Sequence, residues 1–164
     1  METFEPRPET AGDFRQCLGR FATGVTVVTA AAPGGPLGIT ANSFASVSLD
    51  PPLVLWSPAK HSARFAAFCA APVYAIHVLA GDQAALARHF AHRGDGFDAF
   101  DWQRGPLGVP LLQGVLAWFV CRLEAVHEGG DHAIIVGRVA EAAHREGAPL
   151  VFQGGQYGGF APFA

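Results

Sequence analysis

The sequence predicts a mainly β domain of the α+β class, in which an antiparallel, barrel-like sheet carries a few short peripheral helices. The 164-residue chain contains 20 glycines and 12 prolines, which favours many short elements joined by turns over a helical bundle. Several segments are rich in β-branched residues, whereas helical periodicity is short wherever it occurs. The two longest predicted strands follow each other without a crossover helix, which favours antiparallel pairing over a doubly wound parallel sheet. Closing such a sheet would also remove its exposed edges.

Length and composition predict one domain. Domains usually have about 100–200 residues, so we expect a single domain over residues 1–164, in which residues 1–9 form a loose, flexible arm. Apolar residues make up 50% of the chain and charged residues 15%, a balance that excludes general disorder. The net charge is −3 and the sequence has no basic run, so nucleic acid and anionic membranes are poor candidates for partners.

The sequence also predicts a cytoplasmic protein. Its first residues are polar and lack the apolar region of a signal peptide, and no apolar stretch approaches the roughly 18 residues of a membrane span. Cys17, Cys69 and Cys121 are odd in number and form no CxxC motif. We therefore expect buried free thiols in a reducing compartment rather than disulfides.

In the first half of the chain, a short helix precedes three extended segments. Apolar residues at i, i+3, i+4 and i+7 predict the helix over residues 14–21, and Thr10 or Asp13 can cap it. The β-branched run VTVVT predicts the first strand. Polar residues interrupt the second extended segment, and Asp-Pro-Pro ends it. The predicted extended segments cover residues 25–29, 37–48 and 53–56.

The second half combines two short helices with four strands. Ser62 can cap a short apolar helix, and Asp82 can cap a helix that runs to about His92. An aromatic loop covers residues 94–110, and an EGGD turn at 128–131 joins the two long strands as a hairpin. The predicted strands cover residues 73–79, 115–125, 132–143 and 150–153.

Most catalytic signatures are missing from the sequence. The chain has seven histidines but neither an HExxH motif nor paired CxxC motifs, so we expect no metal site. GxSxG, GxGxxG and P-loop motifs do not occur, which excludes the corresponding hydrolase, Rossmann and Walker sites. Paired carboxylates for acid–base catalysis do not stand out either.

The segment GITANSF places Thr40, Asn42 and Ser43 inside an otherwise apolar strand. Buried polar side chains need hydrogen-bond partners. Two interpretations stay open at this point: a bulged or edge strand whose polar groups meet water, or a strand that faces a polar heterocycle.

The segment SPAKHSAR brings Lys60, Ser62 and Arg64 close to the first turn of a helix. Backbone N–H groups, the helix dipole and two cations can hold a phosphate there. The alternative is a solvated loop with an ordinary helix N-cap.

Two further features are ambiguous by themselves. His132 follows Gly-Asp at the start of a strand, where a histidine is either a surface residue or part of a site. Tyr157 and Phe160 stand among glycines, where they either close over a flat ligand or complete the core.

Taken together and in this order, FATGVTVVT, GITANSF and GDHAIIVGRV resemble the flavin reductase-like family, which is built on the FMN-binding split barrel. The resemblance extends over nearly the whole chain, and the combination is specific although each motif alone is weak. It implies an antiparallel Greek-key split β-barrel that forms a homodimer, with one flavin per subunit near the interface. Family members supply reduced flavin to the oxygenase component of two-component monooxygenases, so the resemblance also implies a monooxygenase partner reached by diffusion.

The resemblance assigns flavin contacts to three segments and the nicotinamide side to two residues. His132 is the candidate catalytic residue, expected to orient the pyridine nucleotide or shield the reacting centre, and Tyr157 borders the same side. The expected flavin-binding residues are Thr40, Ala41, Asn42 and Ser43 in the strand, Ser57, Lys60, His61, Ser62 and Arg64 in the loop, and Phe90 and Ala91 after the second helix.

The implied activity is hydride transfer from NADH or NADPH to FMN, with FAD as an alternative flavin, and it needs no protein nucleophile. Asn42 and nearby backbone N–H groups would bind the pyrimidine edge of the flavin. Lys60, Ser62 and Arg64 would hold its phosphate.

The chain departs from the family at one position. Members often carry a basic residue in a DKF- or DRF-like tripeptide, whereas this sequence has Asp95-Gly96-Phe97. A phosphate contact is therefore expected to be missing at Gly96, and Arg93 is the candidate to replace it.

Three other classes of protein are alternatives to a reductase. A flavin-binding electron carrier or flavin store of the same fold stays open, and it would bind FMN without oxidising NADH. A pyridoxamine phosphate oxidase-like enzyme would need a second cluster of Arg and Lys, which the sequence lacks. A barrel without a cofactor is disfavoured by the polar TANS segment and by the resemblance.

Overall fold

The computed structural model describes residue 1 and residues 3–163, and strands dominate it. Within those residues, three helices and twelve strands occur. The helices are α1 (Ala11–Leu18), α2 (Phe65–Ala70) and α3 (Ala84–His92). The strands are β1 (Thr23–Gly24), β2 (Thr26–Ala32), β3 (Gly35–Ala41), β4 (Ala45–Leu49), β5 (Pro52–Trp56), β6 (Val73–Val78), β7 (Trp102–Arg104), β8 (Pro110–Leu112), β9 (Ala117–Gly129), β10 (His132–His144), β11 (Leu150–Gln153) and β12 (Gln156–Gly159).

Seven strands form one antiparallel sheet in the order β3-β2-β6-β9-β10-β5-β4. β3 and β4 follow each other along the chain yet lie at opposite edges of this sheet, so residues 42–44 cross from one edge to the other. In the described residues no ladder joins the two edges. The barrel is therefore open between β3 and β4, and we call this opening, which residues 42–44 cross, the split.

The apolar core lies inside the curved sheet and continues beneath α3. Trp56, Phe68 and Tyr74 are fully buried, with the Trp56 ring centroid 5.3 Å from that of Phe68. A second apolar cluster includes the buried ring of Phe90 on α3. A Cβ added to Gly38 in β3 would lie 2.5 Å from this ring, so only glycine lets β3 approach α3 so closely. This packing fixes α3 beside the split.

The predicted elements are present, but α2 and α3 begin later than their predicted caps, and α1 spans residues 11–18 rather than the predicted 14–21. The N-cap of α3 is Gln83 rather than Asp82, and that of α2 is Arg64 rather than Ser62. Thr10 precedes α1, although its side chain caps no helical N–H. In each case a hydrogen-bonded turn occupies the residues immediately before the helix, and the helix starts only after that turn.

The apolar face predicted for the first helix is largely exposed within the described residues. Phe14, Leu18 and Phe21 are exposed by 44%, 60% and 77%. Cys17 is exposed as well, whereas Cys121 is buried, so the prediction of buried thiols is wrong for Cys17. Helical periodicity identified an apolar surface correctly, but it could not say whether the same chain covers that surface.

Four short strands were not predicted. The predicted loop at 94–110 contains β7, which pairs with β8, and the glycine-rich tail forms β12 against β11. The two-residue β1 also pairs with β11. These strands are too short, or too rich in glycine, to show alternation in the sequence.

Two observations concern the predicted arm and the bilayer. Residue 2 of the arm lies outside the described residues, while residues 3–9 are exposed and enter a 3₁₀ turn at Pro8–Thr10. Every helix in the described residues is too short or too polar to cross a bilayer.

Candidate active site

Three segments assigned to the flavin meet beside the split. The Thr40 hydroxyl, near the end of β3, donates to the Ala87 carbonyl in α3 at 2.7 Å. The Ser43 hydroxyl accepts from the Ser57 N–H at 2.9 Å, which ties the crossing residues to the loop after β5. These two hydrogen bonds join β3, α3 and the loop 57–64 into one surface.

Arg64 adds a second set of links between the same segments. Its Nη1 donates to the carbonyls of Phe90 at 2.8 Å, Arg93 at 2.9 Å and Gly38 at 3.2 Å, and its Nη2 donates to that of Ala91 at 3.2 Å. Burial lowers the pKa of this guanidinium from its ordinary value, because desolvation disfavours the charged form. Arg64 was predicted to bind the phosphate, but its Nη1 and Nη2 groups already donate to backbone carbonyls of the protein.

The Gly-Asp-His turn lies against the loop that follows β5. The Ala133 N–H donates to the Pro58 carbonyl at 3.1 Å, and the Lys60 N–H donates to the Asp131 carbonyl at 2.9 Å. The Lys60 ammonium also forms an ion pair with Glu128 at the end of β9. The structure therefore brings Lys60 and the predicted catalytic His132 into the same part of the surface.

His132 is held by its neighbour in the sequence. Its Nδ1 lies 2.8 Å from Asp131 Oδ1, and 42% of its side chain is exposed. The hydrogen bond from His132, the charge of His132 and the charge of His61 lower the pKa of Asp131. The carboxylate thus fixes the ring orientation, and among the described residues the Nε2 atom has no hydrogen-bond partner.

Tyr157 lies against α3 rather than against His132. The Arg88 Cζ is 5.4 Å from its ring centroid, and the Phe152 ring is 5.3 Å away. In the described residues no hydrogen bond or ring contact joins Tyr157 to His132. The ring of Phe90 is fully buried, so only its backbone could meet a ligand, whereas Ala91 is exposed.

Several hydrogen-bond donors at this surface have no protein acceptor among the described residues. They are the side-chain amide of Asn42 and the N–H groups of Ser43, His61 and Ala63. Asn42 is exposed, and Ala41 and Ser62 beside these donors are half-buried. A flavin presents carbonyl and ring-nitrogen acceptors along its pyrimidine edge and a phosphate on its side chain, so this donor set fits a flavin.

Two concavities of the structure lie apart from the predicted site residues. One concavity of about 330 Å³ is lined by residues 111–118 and 143–145 together with Gln103. Another, of about 460 Å³, lies beside α1 and is lined by Phe4, Asp13, Gln16, Cys17 and Arg20. Neither includes a predicted site residue, so nothing in these two concavities encloses the donors at the split.

The structure explains the departure at Gly96 and adds residues that sequence analysis missed. Gly96 has a φ of 76°, and a Cβ there would lie 2.8 Å from the His89 ring, so a basic side chain would be strained at this position.

Asp131 could have been identified from its place beside His132. Arg88 and Glu128 meet their partners only through folding, since Glu128 is 68 residues from Lys60.

Comparison with known proteins agrees with this geometry. The family model for the flavin reductase like domain matches residues 18–161. FMN reductase (NADH) SmoA from Agrobacterium fabrum is 57% identical over 158 residues, which cover 96% of this chain and 91% of that protein. The reductase subunit HsaB of a flavin-dependent monooxygenase from Rhodococcus jostii is 44% identical, with 98% of this chain and 81% of that protein covered.

A solved structure matches as well. The NADH:FAD oxidoreductase SgcE6 of Streptomyces globisporus, in complex with NAD and FAD fragments, superimposes with a TM-score of 0.90 at 42% identity, over 99% of each chain. The antiparallel split-barrel fold predicted from sequence is thereby confirmed. Because the family model and the full-length relatives agree, this chain belongs to the flavin reductase-like domain family.

Proposed function

We propose that this protein is an NADH-dependent flavin reductase that transfers a hydride from NADH to a flavin. The observation that carries this proposal is the group of unpaired donors beside the split, in a chain that is 57% identical to a protein named FMN reductase (NADH). The redox chemistry is that of the bound flavin and nicotinamide, and the protein supplies binding, orientation and electrostatics.

Different donors would bind different parts of the flavin. The Asn42 amide and the Ser43 N–H would donate to the pyrimidine edge, where negative charge increases on reduction. The Lys60 ammonium, together with the N–H groups of His61 and Ala63, would hold the phosphate. Lys60 would exchange its exposed partner Glu128 for the phosphate at little cost, since exposed ion pairs are weak.

His132 and Tyr157 would serve the nicotinamide side. The hydrogen bond from His132 Nδ1 to the Asp131 carboxylate fixes the His132 ring at the edge of the flavin surface, so His132 can orient the nicotinamide or shield it from water. We assign it no proton transfer. Tyr157, packed under Arg88, would supply a flat contact for the same ligand.

We further propose that the protein is a homodimer in the cytoplasm and that its flavin is FMN, as in the 57% identical protein named FMN reductase (NADH). Phe14, Leu18 and Phe21 form an apolar surface that a second subunit would bury. The cytoplasm would keep the exposed Cys17 thiol reduced. Light scattering tests the dimer: we expect twice the subunit mass, and a monomer for Leu18→Glu.

The reduced flavin would leave by diffusion and reach a flavin-dependent monooxygenase. HsaB, which is 44% identical to this chain, is named as a reductase subunit of such an enzyme. A site that is open on one side suits a flavin that is exchanged rather than retained.

A single assay tests the central proposal. NADH absorbance is followed with the purified protein, before and after FMN is added, and then with FAD and with NADPH. We expect NADH loss that depends on added flavin. A yellow protein that binds FMN but oxidises no NADH would instead identify a flavin carrier, and the roles of His132 and Tyr157 would be lost with the reductase activity.

A further inference from the structure

Arg64 contacts all three segments that the site needs. The residue itself stands at the end of the loop 57–64, directly before α2. Its guanidinium reaches the Gly38 carbonyl in β3 and the carbonyls of Phe90 and Ala91 in α3. One side chain therefore joins the strand, the loop and the helix on which the flavin contacts lie.

Three of the four carbonyls bound by Arg64 lie at the end of α3 or just after it. Phe90 and Ala91 belong to the last turn of α3, and Arg93 follows the helix directly. Carbonyls in the last turn of a helix lack intrahelical donors and carry the negative end of the helix dipole. A cation with several N–H groups satisfies these carbonyls and stabilises the end of the helix.

The packing around Arg64 restricts the chain further. A Cβ added to Gly94 would lie 2.8 Å from Arg64 Cδ, so the chain leaving α3 passes close over the arginine side chain. The Gly38 N–H donates to the Gly94 carbonyl at 2.8 Å, which anchors this passage to β3. Arg64 is thus enclosed by protein groups on several sides.

We infer that Arg64 is a positioning residue that holds the three flavin-binding segments together, rather than a ligand of the flavin phosphate. The inference rests on the proposed function, and it replaces the role that the sequence suggested for Arg64. A ligand of the phosphate matters only for a flavin that carries one. A residue that positions Asn42, the loop 57–64 and Ala91 matters for the whole flavin, including its ring system.

Comparing FMN with riboflavin, which lacks the phosphate, separates the two roles. Dissociation constants are measured from the quenching of flavin fluorescence for the wild type, Arg64→Ala and Lys60→Ala. For Arg64→Ala we expect a rise of about tenfold for both flavins. For Lys60→Ala we expect a rise for FMN alone.

A second readout needs no flavin. In the ligand-free protein, amide hydrogen exchange should accelerate in Arg64→Ala at residues 90–94, where Arg93 N–H donates to the His89 carbonyl. Unchanged exchange at these amides would overturn the inference even if flavin binding were altered. If the wild type binds neither flavin, the proposed function fails, and the exchange data still decide whether Arg64 holds the end of α3.

Arg145 provides a matched control. Its guanidinium also bonds carbonyls, those of Gly114, Val115 and Glu146, but it contacts none of the three segments. Arg145→Ala should lower stability while leaving both flavin dissociation constants unchanged. If Arg64→Ala does not fold, Arg64→Lys keeps the charge with fewer donors, and an equal but smaller rise for both flavins is expected. An effect of either Arg64 variant on FMN alone, or no effect on either flavin, would contradict the inference.

Discussion

The split and the contact of β2 and β6 with β8 use polar residues in contrasting ways. Where β2 and β6 meet β8, two polar side chains are fully buried and fully bonded. The Thr29 hydroxyl donates to the Pro110 carbonyl at 2.5 Å. His77 Nδ1 lies 2.9 Å from the Val27 carbonyl, and its Nε2 accepts from the Leu112 N–H at 3.2 Å. We call this region, defined by these five residues, the sealed seam.

At the split, by contrast, donors remain without protein acceptors. Asn42 is exposed, and within the described residues its amide has no hydrogen-bond partner. Filled hydrogen bonds in an apolar surrounding stabilise the fold, because losing one leaves a buried group unsatisfied. Unfilled donors at an opening contribute little to stability and are available for a ligand. The comparison therefore predicts large stability effects at the sealed seam and binding effects at the split.

The largest effect is expected from His77→Ala. This change removes the partners of the Val27 carbonyl and the Leu112 N–H and leaves a cavity, which together should lower the free energy of unfolding by about 4 kcal/mol. Urea denaturation of the flavin-free protein measures it. His127→Ala, at an exposed position of β9, is the control and should change stability little. If His77→Ala lowered the free energy of unfolding no more than His127→Ala does, the buried hydrogen bonds of His77 would not stabilise the fold.

The dependence of the free energy of unfolding on pH should also reflect His77. The ordinary pKa of a histidine is 6.5, and burial lowers that of His77 to about 4. Between these values the unfolded chain binds the proton and the folded protein does not, so the stability present above pH 6.5 is lost as the pH falls towards 4. The total loss should be about 3 kcal/mol.

Urea midpoints measured across this pH range test the prediction through a difference between variants. His77→Gln should remove most of the pH dependence, whereas His127→Gln should retain it. Equal slopes in the two variants would mean that other groups, not His77, control the acid sensitivity.

Sequence predicted the fold well because its strongest signals are local. VTVVT is β-branched at every position, and β2 begins at its second residue; the strand over 150–153 agrees with β11 at both ends. The split itself was implied by the family resemblance, not by any pattern of residues. Periodicity showed the apolar face of α1, but covering that face requires another surface, and a single sequence does not specify one.

The segments that the sequence suggested for the site lie together in the structure, but the sequence did not distinguish their members. Thr40 and Asn42 are two residues apart in one motif, yet the Thr40 hydroxyl is used by a carbonyl 47 residues away and the Asn42 amide is not used by the protein. Arg64 and Lys60 are cations in one loop, yet only Arg64 is surrounded by carbonyls. These differences depend on which distant groups pack against each residue, and local sequence patterns do not predict such long-range contacts.

Asn42→Ala tests the other side of the comparison. Removing the amide should raise the dissociation constants of FMN and riboflavin by about tenfold, since a hydrogen bond that supports a polar ring is worth about 1–2 kcal/mol. The free energy of unfolding should change by no more than about 0.5 kcal/mol, as is usual for surface positions. Fluorescence quenching and urea denaturation on the same samples give both values. A large loss of stability with unchanged flavin binding would mean that Asn42 stabilises the fold rather than binding the flavin, contrary to the comparison.

The smallest effect is expected from Arg93→Ala. This variant tests whether the Arg93 side chain replaces the basic residue that family members often carry where this chain has Gly96. The Arg93 carbonyl is bound by Arg64, so the backbone at this position stays in place when the side chain is removed. The side chain is exposed, and solvent and salt weaken its attraction to a phosphate. We therefore expect about a threefold rise in the dissociation constant of FMN at low salt, a smaller rise at high salt, and none for riboflavin. An equal rise for riboflavin would place Arg93 with Arg64 among the residues that hold the site together, and the phosphate would then depend on Lys60 and the backbone N–H groups alone.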